Sequence, residues 1–307
     1  MKTLQLIVPC FNEAEVLPLF YDETAKVLTE LWQYDCGFLF VDDGSADDTL
    51  RVIKALAQRD ERVKYLSFSR NFGKESAMLA GLRASTADYV AILDADLQHS
   101  PALLPQMLSA LEDGYDVAAA KRVDRKGEGR LKSRLSDRFY AVANRMMTVE
   151  LDAGAQDFRV MKRAVVDAVL SMTEHRRFSK GIFSFVGFKT KWFPHENRSR
   201  AAGKTKWSIK KLWRYAMDGI LAFSDLPLKL PLWFGSFAFC GGLIYGLVML
   251  ILLLCGRAAG AVHTVVCVLL LCTGAVLLSV GVLGVYLARV YGEVKHRPDY
   301  IIREQKL

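Results

Sequence analysis

The sequence predicts an α/β domain on a mostly parallel sheet, followed by a C-terminal third that is anchored in a membrane. Short apolar runs alternate with helical patterns through the first half of the chain. Acidic or amide residues follow several of these runs, and two long uncharged runs come later, at 230–256 and 258–288. Alternating strands and helices are typical of a parallel sheet covered by helices on both faces.

The strands and helices of the first half are predicted from their periodicity. Each strand is a short apolar run bounded by polar or turn residues, and each helix fills the interval between two runs. The strands are predicted at 4–9, 37–42, 62–68, 89–94 and 115–121, and the helices at 14–31, 46–59, 74–85 and 101–113. No G-x-G-x-x-G sequence follows the first strand, which argues against a dinucleotide-binding domain.

Two polar segments follow this part of the chain. Residues 121–138 are basic and contain glycine, and this composition predicts a loop that leads into a helix at 131–147. Such a loop is either a solvated connector or a binding loop. Within 206–229, apolar residues recur at helical spacing opposite a basic face. This pattern predicts an amphipathic helix in a membrane interface, although a helix packed on a protein core has the same pattern.

The two long apolar runs predict transmembrane helices at 230–256 and 262–288. Each run exceeds the ~20 residues that are needed to cross a bilayer. Basic residues flank the pair on both sides, and the chain starts in a strand rather than a signal peptide. We therefore expect a multi-pass protein of the inner (plasma) membrane, with residues 1–205 as a cytosolic catalytic domain, 289–307 as a cytosolic tail and both termini cytoplasmic. Glycines in the second run would permit close helix packing and a homo-oligomer.

The charge of the chain is concentrated before the apolar runs. Net charge is +8, and the stretch 176–215 is rich in lysine and arginine with Glu196 as its one acid. A basic cluster beside a membrane favours anionic lipid headgroups, so we expect no nucleic-acid partner; a merely solvated basic surface is the alternative. The six cysteines form no C-x-x-C pair, which predicts neither a disulfide framework nor a zinc site.

The segment 90–101, V-A-I-L-D-A-D-L-Q-H-S-P, is the most informative motif. Its apolar run ends in Asp94 and Asp96, with Gln98 two residues further on. Side chains at i and i+2 of an extended chain project to the same side. Such an oxygen cluster suits Mg²⁺ or Mn²⁺, which in turn could clamp a diphosphate. The alternative is a cap for the helix that Ser100 and Pro101 begin.

An ordered set of motifs carries a resemblance to a known family. The set consists of V-P-x-F-N-E, V-D-D-G-S, R-N-F-G-K-E, D-A-D-L-Q-H-S-P and D-F-R-V-M-K-R, followed by the membrane tail. It resembles family 2 glycosyltransferases of the GT-A, Rossmann-like fold, and in particular the dolichol-phosphate-mannose synthase and GtrB-type polyprenyl-phosphate branch.

The resemblance implies an activity. It is the inverting, metal-dependent transfer of a sugar, with glucose from UDP-glucose as the leading donor, to undecaprenyl phosphate at the cytoplasmic membrane face. A processive polysaccharide synthase is one alternative, but the Q-x-x-R-W motif of those synthases is missing. An inactive membrane scaffold that binds nucleotide or lipid is the other.

The resemblance also implies site residues beyond the metal motif. Asp94, Asp96 and Asp157 would be catalytic, with Asp157 orienting the acceptor or acting as a base. An ion pair of Asp157 with Arg159 or Arg163 is the structural alternative. The donor pocket would be lined by Pro9, Phe11, Glu13, Val41, Asp43 and Ala95. Asp43 precedes Gly44 and could instead be a turn residue. The acceptor phosphate would be held by Arg122, Arg134, Lys180 and Arg200.

Overall fold

The fold is taken from a computed structural model. It describes residues 1–122 and 261–307 without a break and most of 152–195, together with scattered residues between 144 and 149 and between 217 and 255. The predicted helix at 131–147 and the amphipathic segment 206–229 lie largely outside the described residues, and about half of the first apolar span 230–256 does.

The described residues form one eight-stranded sheet in the order β7-β5-β6-β4-β1-β2-β3-β8. Pairs β1–β2, β1–β4, β2–β3 and β5–β7 are parallel, while β4–β6, β5–β6 and β3–β8 are antiparallel. The sheet is therefore mostly parallel, as predicted. The strands are β1 (Lys2–Cys10), β2 (Tyr34–Asp42), β3 (Val63–Phe68), β4 (Tyr89–Ile92), β5 (Val117–Arg122), β6 (Ala155–Lys162), β7 (Thr190–His195) and β8 (Ile302–Lys306).

The helices between the first five strands confirm the alternation predicted from the sequence. A short 3₁₀ turn at Pro101–Leu103 precedes the fourth helix. The helices are α1 (Leu17–Glu30), α2 (Thr49–Arg59), α3 (Lys74–Ala84), α4 (Leu104–Glu112), α5 (Arg163–Ser171), α6 (Ser179–Phe185) and α7 (Ala261–Val294).

The central strands are buried because their apolar runs are covered on both faces. The inner residues of β1 and β2, such as Leu6 and Phe38, are fully buried. Helix α3 approaches β1 closely: a Cβ at Gly81 would lie 2.3 Å from Cγ2 of Ile7. A glycine at this point of the helix therefore allows the helix and the strand to pack at short distance.

The chain divides into two compact units. The first is Met1–Gly219 with Pro298–Leu307, and the second is Ile220–Arg297. The tail that the sequence indicated only as a cytosolic segment returns to the first unit as β8, antiparallel to β3. Lys54 of α2 pairs with Glu304 of β8 at 2.5 Å, and the ring of Tyr300 stacks on that of Phe68.

Helix α7 is the main element of the second unit that the structure describes. Among the described residues, its part Cys272–Val294 is the one stretch that is long and apolar enough to cross a membrane. Large apolar side chains such as Leu278 and Leu287 are exposed on it. A single span is thus consistent with the sequence, whereas a pair of spans remains a prediction.

Candidate active site

The loop after β4 contains the three predicted oxygen ligands. Asp94, Asp96 and Gln98 are half-buried, whereas Ala95 and Leu97 between them are buried. Leu97 has a φ of 55°, in the left-handed region that a branched residue adopts at a cost of roughly 1–2 kcal/mol. The turn is further fixed because the Gln98 amide donates to Oδ1 of Asp96 at 3.1 Å. The segment after β4 is therefore a turn, and not the extended chain from which a common side for Asp94 and Asp96 was predicted.

Neighbouring residues support the same loop. Nε2 of His195, the last residue of β7, donates to the main-chain oxygen of Gln98 at 3.0 Å. The buried ring of His99 lies 5.3 Å from the ring of His195. The residue that caps the following 3₁₀ turn is Ser100. Its hydroxyl accepts a hydrogen bond from the amide of Ala102 at the start of that turn.

Lys74, the first residue of α3, lies between two of the predicted carboxylates. Its Nζ is 2.6 Å from Oδ1 of Asp94 and 2.6 Å from Oδ2 of Asp157. Burial would lower the pKa of Lys74, but the charges of Asp157 and Asp94 hold it above its ordinary value. Burial would likewise raise the pKa of Asp157, but Lys74 and then Lys180 hold it below its ordinary value. The ammonium of Lys74 thus bridges the carboxyl groups of Asp94 and Asp157.

Asp157 on β6 is thus paired with a lysine rather than with either arginine of its own motif. The guanidinium of Arg163 pairs with Asp167 at 2.9 Å. The guanidinium of Arg159 donates to the main-chain oxygens of Gln156 and Asp157 and lies 3.6 Å from the ring centroid of Phe183. The Asp157 carboxylate therefore shares the ammonium of Lys74 with Asp94.

Asp43 is buried and holds the loop that leads into α3. Its carboxylate accepts from the side-chain amide of Asn71 at 2.8 Å, from the amide of Phe72 at 2.6 Å and from the amide of Gly73 at 2.9 Å. Burial raises the pKa of Asp43 to about 6, although the two main-chain amides oppose this rise. Gly44 has a φ of 65°, and a Cβ there would lie 2.3 Å from the carbonyl carbon of Arg70. The turn therefore requires glycine.

The other predicted donor-pocket residues lie along the same sheet edge. Pro9 is paired with Val41 across the parallel strands β1 and β2. Phe11 and Glu13 follow β1 and are half-buried, and the Glu13 amide donates to Oγ1 of Thr49 at 2.8 Å. Val41 and Ala95 are buried, so any contact they make with a substrate would use little of their surface.

The predicted acceptor residues are only partly described. Arg122 is the last residue of β5, and its amide donates to the main-chain oxygen of Gly154 at 2.9 Å. Lys180 is the second residue of α6 and contributes to the positive potential at Asp157. Arg134 and Arg200 lie outside the described residues.

The donor set after β4 suits a hard divalent cation. No group of three or more His, Cys, Asp and Glu side chains is placed to hold a metal within the described ranges. Mg²⁺, however, is usually held by one or two carboxylates, with waters and substrate phosphates completing its shell. Two half-buried carboxylates and an amide oxygen on one loop therefore fit Mg²⁺ or Mn²⁺ bound together with a diphosphate.

Sequence reasoning gave no role to Lys74 and Glu75, although it noted the R-N-F-G-K-E motif that contains them. Glu75 accepts hydrogen bonds from the amide and the hydroxyl of Ser179. Their roles depend on partners that lie 20 to 104 positions away in the chain. A conspicuous pair of charges at a predicted helix start was the one available signal.

The comparisons with known proteins agree with the predicted class. Residues 5–170 match the family model described as "Glycosyl transferase family 2". A bactoprenol glucosyl transferase of Shigella phage SfV is 39% identical over 304 residues, which are 99% of this chain and 99% of that protein. A prophage bactoprenol glucosyl transferase homolog of Escherichia coli (strain K12) is 38% identical, again over 99% of both chains.

One solved structure that matches shares less of its sequence with this chain. Glucosyl-3-phosphoglycerate synthase of Mycobacterium tuberculosis aligns with a TM-score of 0.46 and 17% identity, over 70% of this chain and 76% of that chain. A likeness at that level says nothing about the substrates of this chain.

Proposed function

This chain belongs to glycosyl transferase family 2, and from that premise we propose that it transfers a hexose from a nucleotide sugar to a polyprenyl phosphate at a membrane surface. The leading donor is UDP-glucose and the leading acceptor is undecaprenyl phosphate. One observation carries the proposal: the similarity to proteins named bactoprenol glucosyl transferase extends over 99% of the chain, apolar segments included.

The proposed reaction is a direct displacement with inversion. An oxygen of the lipid phosphate attacks the anomeric carbon, and the bond from that carbon to the nucleoside diphosphate breaks on the opposite side. A phosphate monoester is mostly dianionic at neutral pH, because its second pKa is about 6. It is already a nucleophile, so the site must align it rather than deprotonate it.

The acceptor side of the site is proposed to consist of cationic groups around Asp157. Arg122, Lys180 and, from the sequence, Arg134 and Arg200 would hold the lipid phosphate. A guanidinium suits this task because it binds two phosphate oxygens at once. The bridge from Asp157 to Lys74 supports an orienting role for Asp157, because its carboxylate already has a cationic partner.

The donor side is proposed to lie at the ends of β1, β2 and β4. Pro9, Phe11, Glu13, Val41, Asp43 and Ala95 would form the nucleoside pocket. Asp94, Asp96 and Gln98 would hold Mg²⁺ or Mn²⁺, whose positive charge would offset that of the leaving diphosphate.

The membrane part of the proposal rests on the apolar segments. Helix α7 exposes an apolar surface, and the uncharged run at 230–256 would supply a second span. With basic flanks on both sides, the two would form a hairpin with both termini in the cytoplasm of a bacterial inner membrane. Glycines such as Gly281 and Gly284 would permit packing in a homo-oligomer.

The test is a donor panel with a matched acceptor control. Purified protein would receive undecaprenyl phosphate, Mg²⁺ or Mn²⁺, and one radiolabelled sugar donor at a time: UDP-glucose, UDP-galactose, UDP-N-acetylglucosamine or GDP-mannose. We expect label in the lipid extract with UDP-glucose, and none when undecaprenol, which lacks the phosphate, replaces the acceptor. Equal labelling of undecaprenol, or transfer to water alone, would contradict the proposal.

A further inference from the structure

Lys74 joins two strands that carry opposite sides of the site. Asp94 follows β4 and belongs to the proposed metal motif, and Asp157 belongs to β6 and lies within the electrostatic influence of the proposed acceptor residue Lys180. The ammonium lies 2.6 Å from both carboxylates. Less than a third of each of the three side chains is exposed, so water weakens the bridge less than at a surface.

The register of the sheet explains why a cation is needed here. Strands β4 and β6 are antiparallel, and Ile92 is paired with Arg159. The pairing ends there, and Asp94 follows two residues later on one chain segment while Asp157 precedes Arg159 by two residues on the other, so the two carboxylates leave the end of the same strand pair. Like charges directly opposite each other on neighbouring strands repel. Without a cation between them, the two carboxylates would move apart or turn away from each other.

The residues on either side of Lys74 in the chain hold it in place through contacts with the proposed donor and acceptor sides of the site. Toward the donor side, Asp43 binds the main-chain amides of Phe72 and Gly73, which come directly before the lysine. Toward the acceptor side, Glu75 binds Ser179, the neighbour of Lys180. The start of α3 thus contacts the nucleoside motif, the metal motif and the acceptor helix.

We infer that Lys74 is a positioning residue that sets the separation of the donor and acceptor sides by holding Asp94 against Asp157. This inference rests on the proposed function for the identity of the two substrates. Its ammonium contacts the two carboxylates, and it acts on the reaction through them. A displacement of about 1 Å between reacting groups can cost roughly a hundredfold in rate.

Three variants test this inference. Lys74→Met keeps the length of the side chain and removes the charge, and we expect its kcat to fall by about a hundredfold. Lys74→Arg keeps a cation that can reach both carboxylates, and we expect it to recover at least a tenth of the wild-type kcat. Lys54→Met is the matched control, because it removes a lysine that pairs with Glu304 away from the site. Its kcat should stay within twofold of the wild-type value.

Binding measurements separate positioning from general damage. Lys74→Met should bind UDP within threefold of the wild type by calorimetry. It should also bind Mn²⁺ about three- to tenfold more tightly by electron paramagnetic resonance, because a positive charge next to Asp94 has been removed. A kcat within threefold of wild type would overturn the inference. So would a loss of kcat that came with weaker UDP and Mn²⁺ binding and a large drop in Tm.

Failure of the proposed function would look different, because it would appear in the wild-type protein. If wild-type protein gave no lipid-linked sugar, hydrolysis of the nucleotide sugar by water and direct Mn²⁺ binding would still compare Lys74→Met with wild type. Slower hydrolysis in a variant that binds Mn²⁺ more tightly would support the inference. Hydrolysis at the wild-type rate would overturn it.

Discussion

Replacement of Asp43 by alanine should loosen the loop that carries Lys74 into the site. The Asp43 carboxylate accepts three hydrogen bonds, from the side chain of Asn71 and the main-chain amides of Phe72 and Gly73, at 2.6 to 2.9 Å. Asp43→Ala removes all three acceptor contacts at once. The donors are then left to water or to no partner, because alanine offers no side-chain oxygen.

The size of the effect follows from the charge and burial of these groups. A hydrogen bond to a charged group contributes about 1.5–3 kcal/mol. The loop residues are exposed or half-buried, so hydrogen bonds to water replace part of the lost stabilisation. We therefore expect Asp43→Ala to lose about 3 kcal/mol of stability. Asp43→Asn should lose only about 1 kcal/mol. The side-chain oxygen of the new asparagine can still accept from the main-chain amides of Phe72 and Gly73. The side chain of Asn71 can rotate so that its oxygen accepts a hydrogen bond from the side-chain nitrogen of the new asparagine.

Thermal unfolding and steady-state kinetics on the same preparations would test this. We expect kcat to fall at least tenfold in Asp43→Ala and less than threefold in Asp43→Asn. Asp88→Ala is the control: Asp88 accepts from the amide and hydroxyl of Thr3 at the other end of β1, at 2.8 and 2.9 Å. It should lower Tm and leave kcat unchanged. The reasoning fails if Asp43→Asn is as damaging as Asp43→Ala, or if Asp43→Ala turns over at the wild-type rate.

Four further predictions cover the metal motif, the acceptor clamp, the topology and the response to pH. Asp96→Asn should abolish transfer with Tm unchanged, and full wild-type turnover in excess EDTA would contradict the metal role. Arg200→Ala should lower kcat/KM for lipid phosphate by roughly ten- to a hundredfold and leave UDP binding intact, as calorimetry would show. In a variant without its own cysteines, an impermeant thiol reagent should label a cysteine at position 259 but not one at position 305 from outside the cell; the reverse pattern would invert the topology. Hydrogen bonds from a neighbouring arginine lower the pKa of Asp60 to about 2, so this carboxylate stabilises the fold above pH ~4 and loses that effect as pH falls toward 2. Asp60→Asn should therefore cost ~1–2 kcal/mol at pH 7 and about half of that at pH 3, and an equal cost at both pH values would refute this.

The parallel half of the fold could be predicted because its signals are local. Each of the first five strands is an apolar run that is recognisable within a few residues, and each helix between them has its own periodicity. Strands β6, β7 and β8 were not predicted. Their partners are distant in sequence, and β8 carries charged residues such as Arg303 and Lys306 that give no apolar run. Strand β8 is an edge strand whose residues are exposed or half-buried, so it needs no such run.

The candidate site was predictable where residue type alone carries the chemistry. Asp94, Asp96 and Gln98 follow a buried strand, and the structure leaves all three half-buried on one turn. The lysine bridge was not predictable, because it joins the start of a helix, the loop after one strand and a second strand, which only the folded sheet brings together. The same limit applies to Asp43, whose partners Asn71 to Gly73 belong to a loop almost 30 residues away.

The central claim is that a lipid phosphate oxygen attacks the anomeric carbon of the sugar directly. The linkage in the purified product tests this most directly, by proton and phosphorus nuclear magnetic resonance after incubation with UDP-glucose and undecaprenyl phosphate. Direct displacement predicts a single phosphodiester between glucose and the lipid, with the β configuration at the anomeric carbon. An α-linked product, or a diphosphate between the sugar and the lipid, would contradict the account.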